Sequence, residues 1–314
     1  MYGLALEGGG AMGAAHVGVL RALTENGLAP NALAGTSAGS MAAASYAWRG
    51  RMADLEDLFA GVKALGPTIL DLNIVGLIQM VWALRTGHTP TLKGIFRGDT
   101  LKRLVYVNTD GATLSEAKLP LVIPSVNLLS KELYLYSAQT PVAPGAGQWQ
   151  SQATLAEAVR ASSSIPVVFC PLERPDAMLV DGGVLENLPV TSLRQIGVKR
   201  VLGVRLLVED SASTPPTNLF GVAKGTLDTV SFQLDRLQER AADQLLDVVL
   251  PAGSGIFSFN RMDAFTRIGY ETAMAAMPAL RRFINNPALP ASASALPGFA
   301  PQKRVAFAAR PIAR

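Results

Sequence analysis

Gly35-Thr36-Ser37-Ala38-Gly39 sets a serine between two glycines. The stretch follows the short apolar run Ala32-Leu33-Ala34 and precedes mostly small, apolar residues from Met41 to Trp48. Strand, Gly-x-Ser-x-Gly, helix is the order of a nucleophile elbow, a strained turn that pushes one hydroxyl out of the backbone. Glycine suits both flanks because the turn brings two backbone segments together and leaves no room for side chains. Taken alone, the five residues fit such an elbow or an ordinary small-residue turn.

Outward from the elbow, the chain alternates strand and helix. Residues 4–7 read as a strand, followed by a glycine-rich turn and a helix over residues 14–26 with Gly27 at its C-cap. Residues 120–127 read as a strand with a hairpin partner at 133–137. Residues 155–162 read as a helix that stops before Pro166, and 178–180 as a short strand running into Asp181-Gly182-Gly183. Residues 200–207 form another apolar strand. Leu227, Val230, Leu234, Leu237, Ala241, Leu245 and Val248 mark one face of a long helix, and 263–284 a final helix or helix pair. The alternation predicts an α/β fold with a mainly parallel central sheet covered by helices on both faces.

The 314 residues, 49% hydrophobic and 17% charged, suit a globular chain with a sizeable core. Lys and Arg number 28 against 24 Asp and Glu, and the excess sits in residues 286–314, which carry Lys303, Arg304, Arg310 and Arg314 and no acid. The body is therefore neutral, which argues against nucleic acid as a partner. The Pro/Ala-rich basic tail could touch anionic lipid only weakly. Cys170 is the sole cysteine, so no intrachain disulfide forms. Its setting in Val167-Val168-Phe169-Cys170-Pro171 reads as buried and structural. The N-terminus has no basic n-region and runs straight into a strand. The expectation is a cytoplasmic protein, at most peripheral to a membrane.

Gly8-Gly9-Gly10-Ala11-Met12-Gly13 satisfies G-x-G-x-x-G between a strand and a helix. A dinucleotide site needs an acid at the end of the second strand to hold the ribose. That strand ends instead in Gly35-Thr36-Ser37, and no Asp or Glu lies between Glu25 and Asp54. The other use of such a loop is an oxyanion hole. Its amides at a helix N-terminus converge on one spot, and the helix dipole favours negative charge there. The general base is harder to find. The chain holds only His16, in the first helix and read as packed or capping, and His88, in the exposed-looking loop Arg85-Thr86-Gly87-His88-Thr89. A serine hydrolase without a well-placed histidine points to a carboxylate, and Asp181, at a strand end before Gly182-Gly183, is the best placed. Asp-Gly-Gly is equally an ordinary turn.

Together, the Gly8–Gly13 loop, the Gly35–Gly39 elbow and the Asp181-Gly182-Gly183 turn resemble, in order and spacing, the patatin-like phospholipase family. Ala15-His16-Val17-Gly18-Val19-Leu20, Phe96-Arg97-Gly98-Asp99-Thr100-Leu101, Ala158-Val159-Arg160-Ala161-Ser162 with Ile165-Pro166, Asn187-Leu188-Pro189-Val190 and Gly269-Tyr270 fit as well. The resemblance implies a three-layer α/β/α fold over residues 1–285 and an acyl hydrolase that uses no metal or other cofactor. Ser37 would be the nucleophile and Asp181 the base. Backbone amides of Gly8, Gly9, Gly10 and Ala11 would form the oxyanion hole. Gly13, Gly35, Gly39, Gly182 and Gly183 complete the motifs. Substrates would be lipid or fatty-acyl esters. A degenerate member that only binds lipid or a partner protein is the alternative. Many members carry Arg or Lys where Met12 stands, which would help to hold a lipid phosphate. Met12 cannot, so a neutral-ester lipase or carboxylesterase stays open beside a phospholipase. Arg160 or the tail are the substitute cations.

Residues 66–98 interrupt the alternation. Their apolar residues lie nearly all around a helix, as in a buried helix or a lipid-facing lid. Residues 69–84 are too short and too interrupted by Asp71, Asn73 and Gln79 to span a bilayer.

Overall fold

The computed structural model describes residues 1–89, 92–142, 147–209 and 215–285. The 286–314 tail lies outside them. In chain order the elements are β1 (Gly3–Leu6), α1 (Ala14–Glu25), β2 (Ala32–Gly35), α2 (Ala38–Arg49), α3 (Met52–Leu65), α4 (Ile74–Thr86) and β3 (Gly94–Phe96). Then come α5 (Asp99–Asn108), β4 (Leu121–Asn127), β5 (Glu132–Tyr136), β6 (Gln148–Gln150), α6 (Leu155–Ser162), β7 (Val167–Phe169), β8 (Leu172–Arg174) and β9 (Ala177–Asp181). The chain continues through α7 (Val190–Gln195), β10 (Val201–Val208), α8 (Leu219–Ala241), β11 (Gln244–Leu250) and α9 (Met262–Asn285).

The main sheet runs β11-β10-β1-β2-β4-β5-β6, and β9 also pairs with β4 and with β8. It is parallel from β11 through β4. Among the described residues of this sheet, antiparallel pairing enters where β4 meets β5 and β9, and where β8 meets β9. Alternate residues of each central strand feed two separate cores. Leu4, Leu6, Leu33, Ile123, Leu202 and Val204 point into the larger core under α1, α2, α3, α6 and α9. Ala5, Ala34, Val122 and Val201 point into the smaller core with Val190 and Leu193 of α7. A strand buried on both faces must be apolar at every position, which is why these strands read as continuous runs. The result is the expected three-layer α/β/α fold. Helices α1 and α9 approach closely, because a Cβ at Gly269 would sit 2.1 Å from the Ala15 carbonyl oxygen and one at Gly18 would sit 1.9 Å from that of Thr266.

Three readings are corrected. The apolar series from Leu227 to Val248 is not one helix: α8 ends at Ala241, and Leu245 and Val248 belong to β11, paired in parallel with β10. The 3.6-residue pattern ran across a helix-to-strand junction, and the open edge of β10 won its last residues. Cys170 is half-buried rather than fully buried, with its thiol beside the Asn73 amide at 3.4 Å and the Gly94 carbonyl at 3.6 Å.

The third concerns α4, which is not a buried helix. Its inner seam is Gly76 and Ala83, with Leu77 and Met80 partly covered, whereas Ile74, Val75, Ile78, Val81, Trp82 and Leu84 are all exposed. Each such side chain left in water forgoes roughly 1.5–3 kcal/mol that burial would return. Among the described residues no helix is long and apolar enough to cross a membrane.

Candidate active site

Strands β1 and β2 lie side by side with Leu6 opposite Gly35. The loops that leave their C-terminal ends, the glycine loop and the elbow, are therefore neighbours by construction. β4 continues the parallel set, with Ala34 opposite Val122. Three residues further along β4, Ser125 faces Asp181 of the antiparallel β9. Counting the same three residues from Ala34 gives Ser37, so the register brings the carboxylate level with the serine although 144 residues separate them.

Ser37 has φ 51° and ψ −120° and is the N-cap of α2. Positive φ in a residue with a Cβ is costly, and it holds the hydroxyl clear of the helix it starts. The turn is over-determined. The Ser37 amide donates to Ser162 Oγ at 3.0 Å, Thr36 Oγ1 donates to the Glu186 carbonyl at 2.7 Å, and the Gly39 amide donates to the Thr36 carbonyl at 2.8 Å. A Cβ at Gly39 would sit 2.2 Å from the Leu6 carbonyl oxygen, so only glycine lets the elbow press against β1.

Asp181 is buried, and its Oδ1 accepts the Gly183 amide at 2.8 Å. Its Oδ2 has no hydrogen-bond partner of standard geometry among the described residues. Desolvation pushes its pKa up to about 7, against the opposing pull of the Gly183 amide and the nearby Ser37 hydroxyl. The Ser37 hydroxyl thus lies within electrostatic reach of the carboxylate without a tight hydrogen bond. Such contacts often close only when substrate arrives.

In the glycine loop, the Gly8 amide already donates to the Asn187 carbonyl at 3.2 Å, and that of Ala11 to the Ile256 carbonyl at 2.9 Å. The amides of Gly9 and Gly10 have no such partner among the described residues. The four expected donors therefore divide into two that anchor the loop and two that remain available. A cavity of about 200 Å³ joins Gly8, Gly9, Gly10, Ser37, Asp181 and Asn187, walled by Leu227, Asp228 and Ser231 of α8. A second, apolar cavity of about 70 Å³ opens from the same Ser37 and runs between Met41, Phe59, Val62, Leu101, Phe169 and Met262. Gly10, Ile165 and Ile256 border both.

No Lys or Arg lines either cavity among the described residues. Arg160 does not supply the missing cation. It is buried with its guanidinium spent on Ser164 Oγ and on the carbonyls of Arg97 and Cys170. Met12 packs partly buried against the large core. His16 is fully buried, and its Nε2–H donates to the Glu7 carbonyl at 2.7 Å. Burial drives its pKa down to about 4, so it stays neutral and pins the end of β1. His88 is exposed and stacks on Trp82. Neither histidine lines the cavities. No group of His, Cys, Asp and Glu among the described residues could hold a metal.

Sequence reading missed Glu7. Its carboxyl accepts the Leu206 amide at 2.5 Å and the Asn187 side-chain amide at 3.2 Å, immediately before the glycine loop. Burial raises its pKa to about 8, helped by the charges of Asp235 and Glu239. Arg205 offsets this only in part, since its guanidinium is held by Asp247 at 2.7 Å and Glu239 at 2.5 Å. A folded-state pKa above the unfolded one stabilises at low pH and loses that contribution as pH rises. Thermal stability is therefore expected to fall between pH 5 and 8, and Glu7→Gln, the shape of the protonated acid, should flatten that decline in a pH series of melting temperatures. A slope unchanged by the substitution would remove Glu7 as its source.

The sequence model of patatin-like phospholipases matches residues 4–194, more than half of the chain, and the chain belongs to that family. Among curated proteins it is 28% identical over 202 residues to lysophospholipase NTE1 of Saccharomyces cerevisiae, covering 64% of this chain and 10% of that protein. It is likewise 28% identical over 202 residues to lysophospholipase NTE1 of Pyricularia oryzae, covering 64% and 12%. The chain thus spans only about a tenth of the length of these relatives. Among solved structures, VipD from Legionella pneumophila matches with a TM-score of 0.55 at 19% identity, over 88% of this chain and 67% of that one.

Proposed function

We propose that this member of the patatin-like phospholipase family is a serine acyl hydrolase acting on lipid or fatty-acyl esters through a Ser37–Asp181 dyad. The observation that carries the reading is the convergence on one cavity of a strained serine, a desolvated carboxyl and two unengaged amides. The lysophospholipase relatives support a lipid ester as substrate.

Ser37 Oγ attacks the ester carbonyl carbon while Asp181 takes its proton. The carbonyl oxygen becomes an oxyanion held by the Gly9 and Gly10 amides at the head of the 3-10 turn Gly10–Gly13 that leads into α1. Collapse expels the alkoxide, which recovers the proton from Asp181 and leaves an acyl-Ser37 ester. Water then attacks that ester with Asp181 again as base, and collapse returns the proton from Asp181 to Ser37 Oγ and releases the fatty acid. An ordinary carboxylate is a weak base, and a pKa near 7 removes most of that handicap at neutral pH. The apolar cavity suits the acyl chain and the larger one the leaving alcohol. With no Lys or Arg lining either cavity among the described residues, the fit is to a neutral ester or to a lysophospholipid whose phosphate stays outside the cavity. Peripheral contact with a lipid surface is part of this reading.

A fluorophosphonate probe followed by mass-spectrometric mapping tests the proposal. Labelling should fall on Ser37 and stop turnover of p-nitrophenyl butyrate in proportion. Turnover that survives full labelling, or a label mapped to another serine, would sink it.

A further inference from the structure

The outer face of α4 is an exposed apolar surface that the catalytic reading leaves unused. Helices on the outside of soluble proteins turn polar residues to water. Helix α4 is inverted. Gly76 and Ala83 face inward, while Ile74, Val75, Ile78, Val81 and Trp82 face out, with Ile78 64% and Trp82 59% exposed.

We propose that this face is a docking surface for the headgroup–acyl boundary of a lipid bilayer, set so that lipid enters the apolar cavity at Ser37. The choice of occupant rests on the acyl-hydrolase reading in one respect only, the nature of the substrate. Two further observations support it. First, the face is continuous with the site. Ile69 and Leu70 line the apolar cavity, Leu72 two residues on is exposed, and β3, just beyond α4, pairs with β7 next to Ile165. Val167 and Phe257, which line the two cavities, are also exposed large apolar residues.

Second, the composition matches an interfacial helix. α4 contains no acid, Arg85 closes its outer face with no partner for its guanidinium among the described residues, and Trp82 stacks on His88 at 5.2 Å beside it. An indole and a cation at the rim of an apolar face suit the headgroup region.

Sedimentation with phosphatidylcholine vesicles, with and without phosphatidylglycerol, tests this on the whole chain. The unmodified protein should bind, more strongly with phosphatidylglycerol. Brominated acyl chains should quench Trp82, since Trp48 is buried and Trp149 partly so. The double variant Ile78→Glu/Trp82→Glu should lose about tenfold or more in vesicle partitioning and in hydrolysis of vesicle-borne ester. Its melting temperature and its turnover of soluble p-nitrophenyl butyrate should not change. Absent quenching in the unmodified protein, or partitioning that the variant keeps, overturns the proposal. So does a dimer in light scattering that the double variant dissolves. Loss of soluble-ester turnover by the unmodified protein would instead refute the catalytic reading and leave the sedimentation result intact.

Discussion

Asp181→Asn is expected to lower kcat on p-nitrophenyl butyrate by about 10³-fold or more and, at pH 8, to raise the melting temperature. Both effects come from one cause. Burial holds the carboxyl at a pKa of about 7 against an ordinary 3.8. The amide keeps the Oδ1 acceptor for the Gly183 amide but cannot take a proton from Ser37. On stability, an acid with a raised folded pKa contributes fully below its unfolded value and loses that contribution as pH climbs through the folded one. Wild type therefore carries above pH 7 a buried charge that the Gly183 amide offsets only in part, a cost on the order of a few kcal/mol that the amide side chain lacks. Near pH 4 the two proteins should melt alike. The same titration sets the rate: log kcat/KM of wild type should rise by about one per pH unit up to about 7 and then level. A variant retaining a tenth of the activity, or a flat profile between pH 5 and 7, would exclude Asp181 as the base.

Gly10→Ala should cost about 10²–10³ in kcat through the oxyanion loop. Gly10 sits at φ +57°, and a Cβ there would lie 2.7 Å from Ile256 Cα and 2.5 Å from the Ile256 carbonyl oxygen. That carbonyl anchors the loop by accepting the Ala11 amide at 2.9 Å. Displacing it moves the Gly9 and Gly10 amides together, where a shift of about 1 Å is enough to spoil the donors. Gly27→Ala separates this from backbone strain alone. Gly27 has φ +70° with nothing within 4 Å of its would-be Cβ. That variant should lose only ~1 kcal/mol of stability, with kcat unchanged. Equal kinetic losses in both, or a fully active Gly10→Ala, would contradict the assignment of the loop.

Much of this fold was legible because its signals are local. Gly-x-Ser-x-Gly at a strand end, three glycines before a helix and Asp-Gly-Gly at another strand end are each short-range backbone requirements. The continuous apolar runs of the central strands follow from burial on both faces. The reading failed where two periodicities met end to end, at Ala241, since residues 227–248 satisfy a helical pattern that the edge of β10 interrupts. It also passed over Glu7, because a single acid before a glycine loop carries no pattern. Its hydrogen-bond donors, Leu206 and Asn187, and the Asp235 charge that helps to raise its pKa lie far along the chain.

By itself the sequence determined the class of fold, the order of its motifs and the candidates for nucleophile and base, since these depend on residues a few positions apart. Only the tertiary structure decided which loop amides are spent and which are available, how far Asp181 is desolvated, that Arg160 is consumed by carbonyls, and that α4 turns its apolar side to water. Hydrogen-bond satisfaction, dielectric surroundings and the facing of a helix are set by partners outside the local motif, in the glycine loop by Asn187 and Ile256 far along the chain. They exist only once the sheet register has brought those partners together.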